Sequence, residues 1–93
     1  MNLQTFDLNL LLVFRALFEE KNVTKASKKV GITQPAMSNA LNRLRYLVKD
    51  ELFVRGPQGM RPTARAIELS IPIQEALNNI EISLSAINFD PYT

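Results

Sequence analysis

The chain has 93 residues, of which 46% are apolar, and a formal net charge of +2. It has no cysteine and no histidine, which excludes disulfides and thiolate metal sites and removes the commonest general base and metal ligand. No apolar run approaches the roughly 18 residues of a membrane-spanning helix, and no basic segment precedes the first leucines. We therefore expect one small intracellular domain with no catalytic residues, no cofactor and no membrane partner.

Basic residues are concentrated in the middle of the chain. Residues 21–65 contain ten Lys or Arg against two acidic residues, a net charge of +8, whereas residues 66–93 contain four acidic residues and no basic one. A basic block beside an acidic tail favours a polyanion as partner of the first part alone. The alternative is a solvated basic face without a ligand, and charge alone does not separate the two.

The first predicted helix covers residues 8–20, with Asp7 as its N-cap. Leucine, valine and phenylalanine occupy most of its sides. A helix of this kind is central to a core or is also covered from outside. The cover would come either from a partner subunit or from the rest of the same chain.

Two helices joined by a short turn follow. Thr24 is the expected cap of a helix that ends at Gly31, because glycine is the usual left-handed terminator. Thr33 is the expected cap of the next helix, at about residues 34–48, with Pro35 in its first turn, where a missing N–H costs little. Two helices joined by a glycine-containing turn of about three residues predict a helix-turn-helix.

The helix over residues 34–48 has two contrasting faces. Apolar residues such as Met37, Leu41 and Leu44 recur at spacings of three and four, and the opposite face carries amides, hydroxyls and guanidinium groups, which suit base edges and phosphates. We therefore predict that this helix enters a DNA major groove, with its first turns nearest the bases. The predicted DNA-binding residues are Thr24, Lys25, Ser27 and Lys28 where the preceding helix crosses the backbone, Gln34, Ser38 and Asn39 as base readers, Asn42 and Arg43 as readers or clamps, Arg45 as an anchor, and Thr33 at the start of the helix.

A short β-ribbon is predicted after this helix. Residues 51–55 and 60–62 have the character of strands, and residues 56–59 between them are rich in turn formers. A ribbon in this position is a wing, and its tip is flanked by Arg55 and Arg61, which complete the predicted DNA-binding set. Arg55 would place a guanidinium in a narrow minor groove, as A·T-rich DNA favours.

A long helix is predicted over residues 64–88, with Thr63 as its cap. It would span roughly 38 Å, so we expect its heptad seam to meet a second copy of the chain; the alternative is that it folds back on its own domain. Pro72 removes one backbone hydrogen bond inside it, which predicts a kink or two separate helices. The predicted dimer-interface residues are Ile73, Leu77, Ile80, Leu84 and Ile87.

Several of these segments together resemble the N-terminal domain of LysR-type transcriptional regulators. The resemblance rests on residues 24–27, 31–38 and 52–55 and on Pro62 followed by Thr63, and it extends from about Asp7 to Thr63. Residues 7–11 and 58–63 are most similar to the branch that contains nodulation and aromatic-degradation activators.

The resemblance implies a mainly α fold, a winged helix-turn-helix of three helices and a two-stranded wing, followed by a long linker and dimerisation helix. It implies three regions: 1–63 as the DNA-binding domain, 64–88 as the linker helix, and 89–93 as a hinge toward an absent effector-binding domain that would take a small-molecule inducer. The implied function is sequence-specific binding of double-stranded operator DNA by a homodimer in the cytoplasm, at the nucleoid.

The family's DNA contacts fall on Gln34, Pro35, Ser38, Asn39 and Arg55 of this chain. Many members have Arg where this chain has Asn39, and Asn reaches less far. An alternative function is a winged-helix module that binds another protein and no nucleic acid, which would use the apolar first helix and the long seam.

Overall fold

The computed structural model describes the backbone of residues 2–89 and the side-chain surroundings of residues 2–85. Within that range the elements are α1 (Asn9–Glu20), α2 (Val23–Val30), α3 (Gln34–Val48), β1 (Phe53–Gly56), β2 (Gly59–Pro62) and α4 (Ala64–Phe89). The predicted winged helix-turn-helix followed by a long helix is confirmed. No helix in the described part of the chain is long and apolar enough to cross a membrane.

α1 is the central helix of the core. It packs against α2, α3 and α4, and its side chains Phe14 and Leu17 are almost completely buried. The Phe14 ring lies 5.4 Å from the ring of Phe53 in β1, centroid to centroid, in a tilted arrangement. The rest of the chain therefore covers most of α1, although Leu8 and Leu12 remain exposed.

Local capping signals predicted most helix ends. Gly31 ends α2 with φ +85°, and the hydroxyl of Thr33 accepts a hydrogen bond from the amide of Ala36 at the start of α3. The predicted cap of α2 is wrong. Asn22, two residues before Thr24, has the extended backbone of an N-cap, and its side-chain oxygen accepts from the amide of Lys25 at 2.8 Å.

The start of α1 lies one residue later than predicted. The helix begins at Asn9 rather than Leu8. The Asp7 carboxylate nevertheless accepts from the Asn9 amide at 3.0 Å. That bond, followed by contacts with the Asn9 side chain and with Arg43, lowers the pKa of Asp7 from its usual value.

A carboxylate–hydroxyl clasp joins the base of the wing to α4. The Asp50 carboxylate accepts from the Leu52 amide at 2.8 Å and from the Thr63 hydroxyl at 2.7 Å. The same Thr63 oxygen accepts from the Ala66 amide at 3.1 Å, which caps α4 as predicted. The Thr63 bond, and then the Leu52 bond, lower the pKa of Asp50. One hydroxyl therefore connects the end of α3, both ends of the ribbon and the first turn of α4.

α4 begins as part of the core. Ala66 is fully buried, and Leu69 and Ile73 pack against the core. Two turns further on, Glu81 makes a paired contact with Arg15 of α1, with both N–O distances at 3.1 Å. The helix is continuous through Pro72, so the alternative of two separate helices is wrong, and the kink stays a prediction.

The structure buries one part of the predicted dimer seam and leaves another part exposed. Leu77 is only 7% exposed and Ile73 is packed against the core, because this stretch of α4 folds back along its own domain. Neither side chain offers a free surface to a second copy. Ile80 and Leu84 lie beyond this stretch and are 54% and 53% exposed. The side chain of Ile87 and residues 90–93 of the expected hinge lie outside the described residues.

We predict that Thr63→Ala destabilises the fold measurably. The substitution removes a helix cap, which is typically worth about 1–2 kcal/mol, and leaves the Asp50 carboxylate without its hydroxyl donor. The free energy of unfolding in urea should fall by at least about 1 kcal/mol. Thr63→Ser keeps the hydroxyl and should stay within about 0.5 kcal/mol of the parent. Equal losses in the two variants would show that the hydroxyl has no such role.

Candidate nucleic-acid interface

The solvent-facing side of α3 carries the predicted base-reading residues. Gln34, Ser38 and Asn39 in its first turns and Asn42 in its third are all exposed. Pro35 occupies the first turn of the helix and is exposed beside them. Because Met37, Leu41 and Leu44 on the opposite side are buried, the core fixes which face of α3 points outward.

A groove of about 290 Å³ separates α3 from the wing. Ser38 and Asn42 form part of one wall, and Arg55 lies across from them. Val23, Leu41, Arg45 and Met60 complete the lining. The structure thus brings together four predicted site residues from two separate elements, Ser38, Asn42, Arg45 and Arg55, so that amide, hydroxyl and guanidinium groups line one groove.

The register of the wing separates its two arginines. Arg55 pairs with Met60, and Val54 pairs with Arg61. Paired residues of an antiparallel ribbon share a face, and consecutive residues alternate between faces. Arg55 therefore lies on the face with buried Met60, toward α3, whereas Arg61 lies on the opposite face with exposed Val54. Arg61 is therefore not brought together with the other predicted site residues, and its contact with DNA stays a prediction.

A backbone contact anchors the wing to the end of α1. The Met60 amide donates to the carbonyl of Lys21 at 2.9 Å, and Lys21 has a left-handed backbone with φ +53°. Gly59 has φ +115°, and a Cβ built there would lie 2.5 Å from the same carbonyl oxygen. Only glycine satisfies both the backbone angle and this close approach.

The Arg45 guanidinium is hydrogen-bonded within the protein, although its side chain also lines the groove. Its Nε donates to the Glu51 carbonyl at 2.8 Å, its Nη2 to the Phe53 carbonyl at 2.6 Å, and its Nη1 to the Asn42 side-chain oxygen at 3.2 Å. All three nitrogens are engaged, and the side chain is only 29% exposed. Three of its five N–H donors thus join α3 to β1 or bind Asn42, so Arg45 has a structural role, and its role as a DNA anchor stays a prediction.

Ser27 is a predicted DNA-binding residue that the structure buries. Its residue is 4% exposed, and its hydroxyl donates to the Thr24 carbonyl at 2.7 Å, one turn earlier in α2. Thr24, Lys25 and Lys28 are exposed on the same helix. The outer side of α2 therefore keeps three of its four predicted contacts.

Several cations of the basic block are paired within the chain. Lys29 lies 2.7 Å from Glu19 and 3.4 Å from Glu20, which raises its pKa. Arg43 lies 3.3 Å from Asp7, although its side chain is 58% exposed. Within residues 2–89, no acidic group approaches within 4.0 Å of a second set of cations, which comprises Lys25, Lys28, Lys49, Arg55 and Arg61.

Arg43 lies toward the start of α1, away from the wing. It borders a surface depression together with Asp7, Asn9 and Ala40. An exposed ion pair of this kind is worth little in water, so the pair with Asp7 leaves the guanidinium available to another anion. Its position places it at the margin of the α3 face, not at the centre.

Tyr46 is a candidate contact that the sequence did not reveal. It is 80% exposed, and it lies four residues after Asn42 and seven after Asn39, on the same side of α3. The spacing from Asn39 and Asn42 was the sequence signal that could have revealed Tyr46. An aromatic residue between leucines, however, favours a buried position over an exposed one. The structure places its phenol on the outward face near the end of the helix.

The comparisons with known proteins agree on one family. Residues 8–67 match the model of the bacterial regulatory helix-turn-helix protein, lysR family. The chain is 46% identical over 93 residues to the HTH-type transcriptional activator NagR of a Ralstonia species, which covers 99% of this chain and 31% of that protein. It is 45% identical over 92 residues to Nodulation protein D 2 of Bradyrhizobium elkanii, which covers 98% and 28%. The chain therefore spans about three tenths of the length of these relatives.

A solved structure has the same fold over nearly all of its length. In a crystal structure of a complex of BenM_DBD with catB site 1 DNA, the protein aligns with a TM-score of 0.80 and 26% identity. The alignment covers 89% of this chain and 93% of that one.

We predict that Gly59→Ala costs more stability than Gly31→Ala. Both glycines have positive φ, so each alanine is strained by about 1 kcal/mol. Gly31 has open space around its Cβ position, whereas a Cβ at Gly59 would clash with the Lys21 carbonyl. Urea unfolding should rank the variants in that order, and amide exchange at Met60 should quicken in Gly59→Ala alone. The reverse ranking would contradict the anchoring of the wing to α1.

Proposed function

The chain belongs to the lysR family of bacterial regulatory helix-turn-helix proteins, and from that premise we propose that it binds double-stranded operator DNA sequence-specifically as part of a transcriptional regulator. The observation that carries the proposal is the convergence of Ser38 and Asn42 with Arg55 across one open groove. A major groove about 12 Å wide admits an α-helix, and α3 presents its polar side chains on the face that would enter it.

The proposed contacts divide between bases and phosphates. Gln34, Ser38 and Asn39 lie in the first turns of α3, the part of a recognition helix usually nearest base edges, and Pro35 adds apolar contact there. Lys25 and Lys28 of α2, both without an acidic partner in the described part of the chain, would bind phosphates. Arg55, on the α3-facing side of the wing, would enter the minor groove.

We further propose that two copies associate through α4. Ile80 and Leu84 are exposed on the stretch of α4 that extends beyond Leu77, and a second copy would remove them from water. Two half-sites would then be contacted about 34 Å apart, or at a multiple of that distance. This interface uses the far part of the predicted seam, since Ile73 and Leu77 are already packed within the chain.

The wider role is carried over from the relatives as a proposal. NagR is an activator and Nodulation protein D 2 belongs to the nodulation group, which supports the branch indicated by residues 7–11 and 58–63. With that role we propose a non-enzymatic regulator that is located in the cytoplasm at the nucleoid. A further domain would hold its inducer.

We predict that Gln34→Ala relaxes base preference without abolishing DNA binding. Gln at the first turn can pair with adenine N6 and N7, so its loss should remove discrimination at one base pair in each half-site. Selection of bound sequences from random duplex DNA, performed on parent and variant, measures this directly. An unchanged selected sequence in Gln34→Ala would refute the assignment of this residue. If the parent retains no DNA at low salt, or retains it without dependence on salt, the protein-interaction alternative is favoured.

We predict that Arg55→Ala weakens binding to all sequences and reduces its salt dependence. Each phosphate neutralised by a cation contributes about 0.9 to the slope of log affinity against log salt, so the slope should become shallower by about that amount. Arg61→Ala is the matched control, because it removes the same charge from the opposite face of the ribbon. Equal slope changes in the two variants would contradict the assignment of the wing faces.

We predict that Ile80→Asp prevents dimer formation while the domain stays folded. The side chain is 54% exposed in the single chain, so aspartate is tolerated there, but it would be buried unpaired in the interface, which is strongly unfavourable. Asn79→Asp adds the same charge at the neighbouring exposed position and should leave the dimer intact. Sedimentation gives the mass of each variant, and an Ile80→Asp protein with the mass of the parent would contradict the interface.

A further inference from the structure

We propose that Arg45 fixes the orientation of the Asn42 side-chain amide, so that Asn42 offers DNA only N–H donors and selects guanine over adenine at one base pair. Arg45 would be a positioning residue, and Asn42 the residue that reads the base. The inference rests on the proposed DNA binding and adds to it the specificity of one position in the half-site.

The orientation of the amide follows from the chemistry of its partner. A guanidinium group has N–H donors and no acceptor, so the Asn42 atom that faces Arg45 Nη1 at 3.2 Å must be the oxygen. The amide nitrogen lies on the other side of the planar group. Its two N–H bonds therefore point away from Arg45.

Arg45 cannot turn to follow a flipped amide. Its Nε and Nη2 are held by the carbonyls of Glu51 and Phe53 at 2.8 and 2.6 Å, which fix the plane of the guanidinium from two sides. A flipped Asn42 would set N–H groups against N–H groups and lose its only described hydrogen bond. The wing strand thus determines, through Arg45, which atom of Asn42 faces outward.

The outward amide nitrogen has access to DNA in the proposed complex. Asn42 is exposed on the face of α3 that carries Ser38, and it lines the groove opposite Arg55. It also lies one turn beyond Ser38, where a recognition helix still follows the floor of the major groove.

Two adjacent donors match one base better than the others. Guanine presents two acceptors, N7 and O6, on its major-groove edge, whereas adenine presents one acceptor and one donor. An asparagine that is free to turn pairs with adenine through both its oxygen and its nitrogen. With its oxygen turned toward Arg45 and its nitrogen facing outward, Asn42 presents donors to the base and favours guanine.

The test compares base preference in four proteins: the parent, Asn42→Ala, Arg45→Met and the double variant. Asn42→Ala should remove the guanine preference at one position of the half-site found by selection. Arg45→Met frees the amide, so the preference at the same position should fall from roughly tenfold to about twofold or less, while preferences at the other positions persist. The double variant should show no further loss.

Two controls separate positioning from a general structural effect. Arg43→Met removes the same charge from the same helix without touching Asn42, so it should weaken binding and leave the base preference unchanged. Replacement of the guanine by 7-deazaguanine removes the N7 acceptor. This replacement should weaken DNA binding by the parent several-fold and leave DNA binding by Asn42→Ala unchanged. The comparison remains valid even if Arg45→Met fails to fold.

The outcomes distinguish this inference from the proposed function. If Arg45→Met lowers affinity equally for all sequences, or if the parent prefers adenine at the Asn42 position, the orienting role is overturned while DNA binding stands. A parent protein that shows no sequence preference at all would instead overturn the proposed function.

Discussion

The Arg45 guanidinium ties the recognition helix to the wing, and the shape of the groove depends on that connection. Its bonds to the Glu51 and Phe53 carbonyls fix the distance between α3 and β1. Two further contacts hold the ribbon in a fixed position: the Asp50–Thr63 clasp at its base and the Met60–Lys21 hydrogen bond near its tip. A two-stranded ribbon alone is marginally stable in water, so these anchors to three helices are what make the wing a defined surface.

The basic block divides into cations that build the protein and cations that face outward. Arg45 holds the wing and Lys29 is paired with carboxylates, so the net charge of +8 overstates the charge that a polyanion would meet, whereas Arg43, in an exposed pair with Asp7, remains available. The cations without acidic partners in the described residues include Lys25 and Lys28 on α2 and Arg55 beside the groove. The proposed DNA complex would therefore have a modest number of phosphate contacts, with specificity supplied by the uncharged amides of α3.

The local features of this fold could be predicted from the sequence. The features that the sequence did not predict depend on contacts with residues further along the chain. The two faces of α3, the Gly31 terminator and the Thr33 cap follow from spacings of three or four residues. The structural role of Arg45 was not predicted because its partners are backbone carbonyls six and eight residues later, which no side-chain pattern reveals.

Strand register and helix packing explain the remaining differences between the sequence-based predictions and the structure. The sequence did not show that Arg55 and Arg61 lie on opposite faces, because the faces of a ribbon depend on the register of strand pairing. The heptad seam of α4 shows which face is apolar but not what covers it. Leu77 is covered by its own chain, whereas Ile80 and Leu84 are left exposed. Ser27 has the polar character of a surface residue, yet its hydroxyl is satisfied within α2.

The most direct test is a titration of the ¹⁵N-labelled protein with duplex DNA, followed by nuclear magnetic resonance of its side-chain N–H groups. The account predicts that the amide signals of Gln34, Asn39 and Asn42 and the Nε–H signal of Arg55 change on binding. The Nε–H signal of Arg45, already bonded to a carbonyl, should stay nearly in place. Large changes at Arg61 or along the exposed side of α1, with the amides of α3 unaffected, would contradict it.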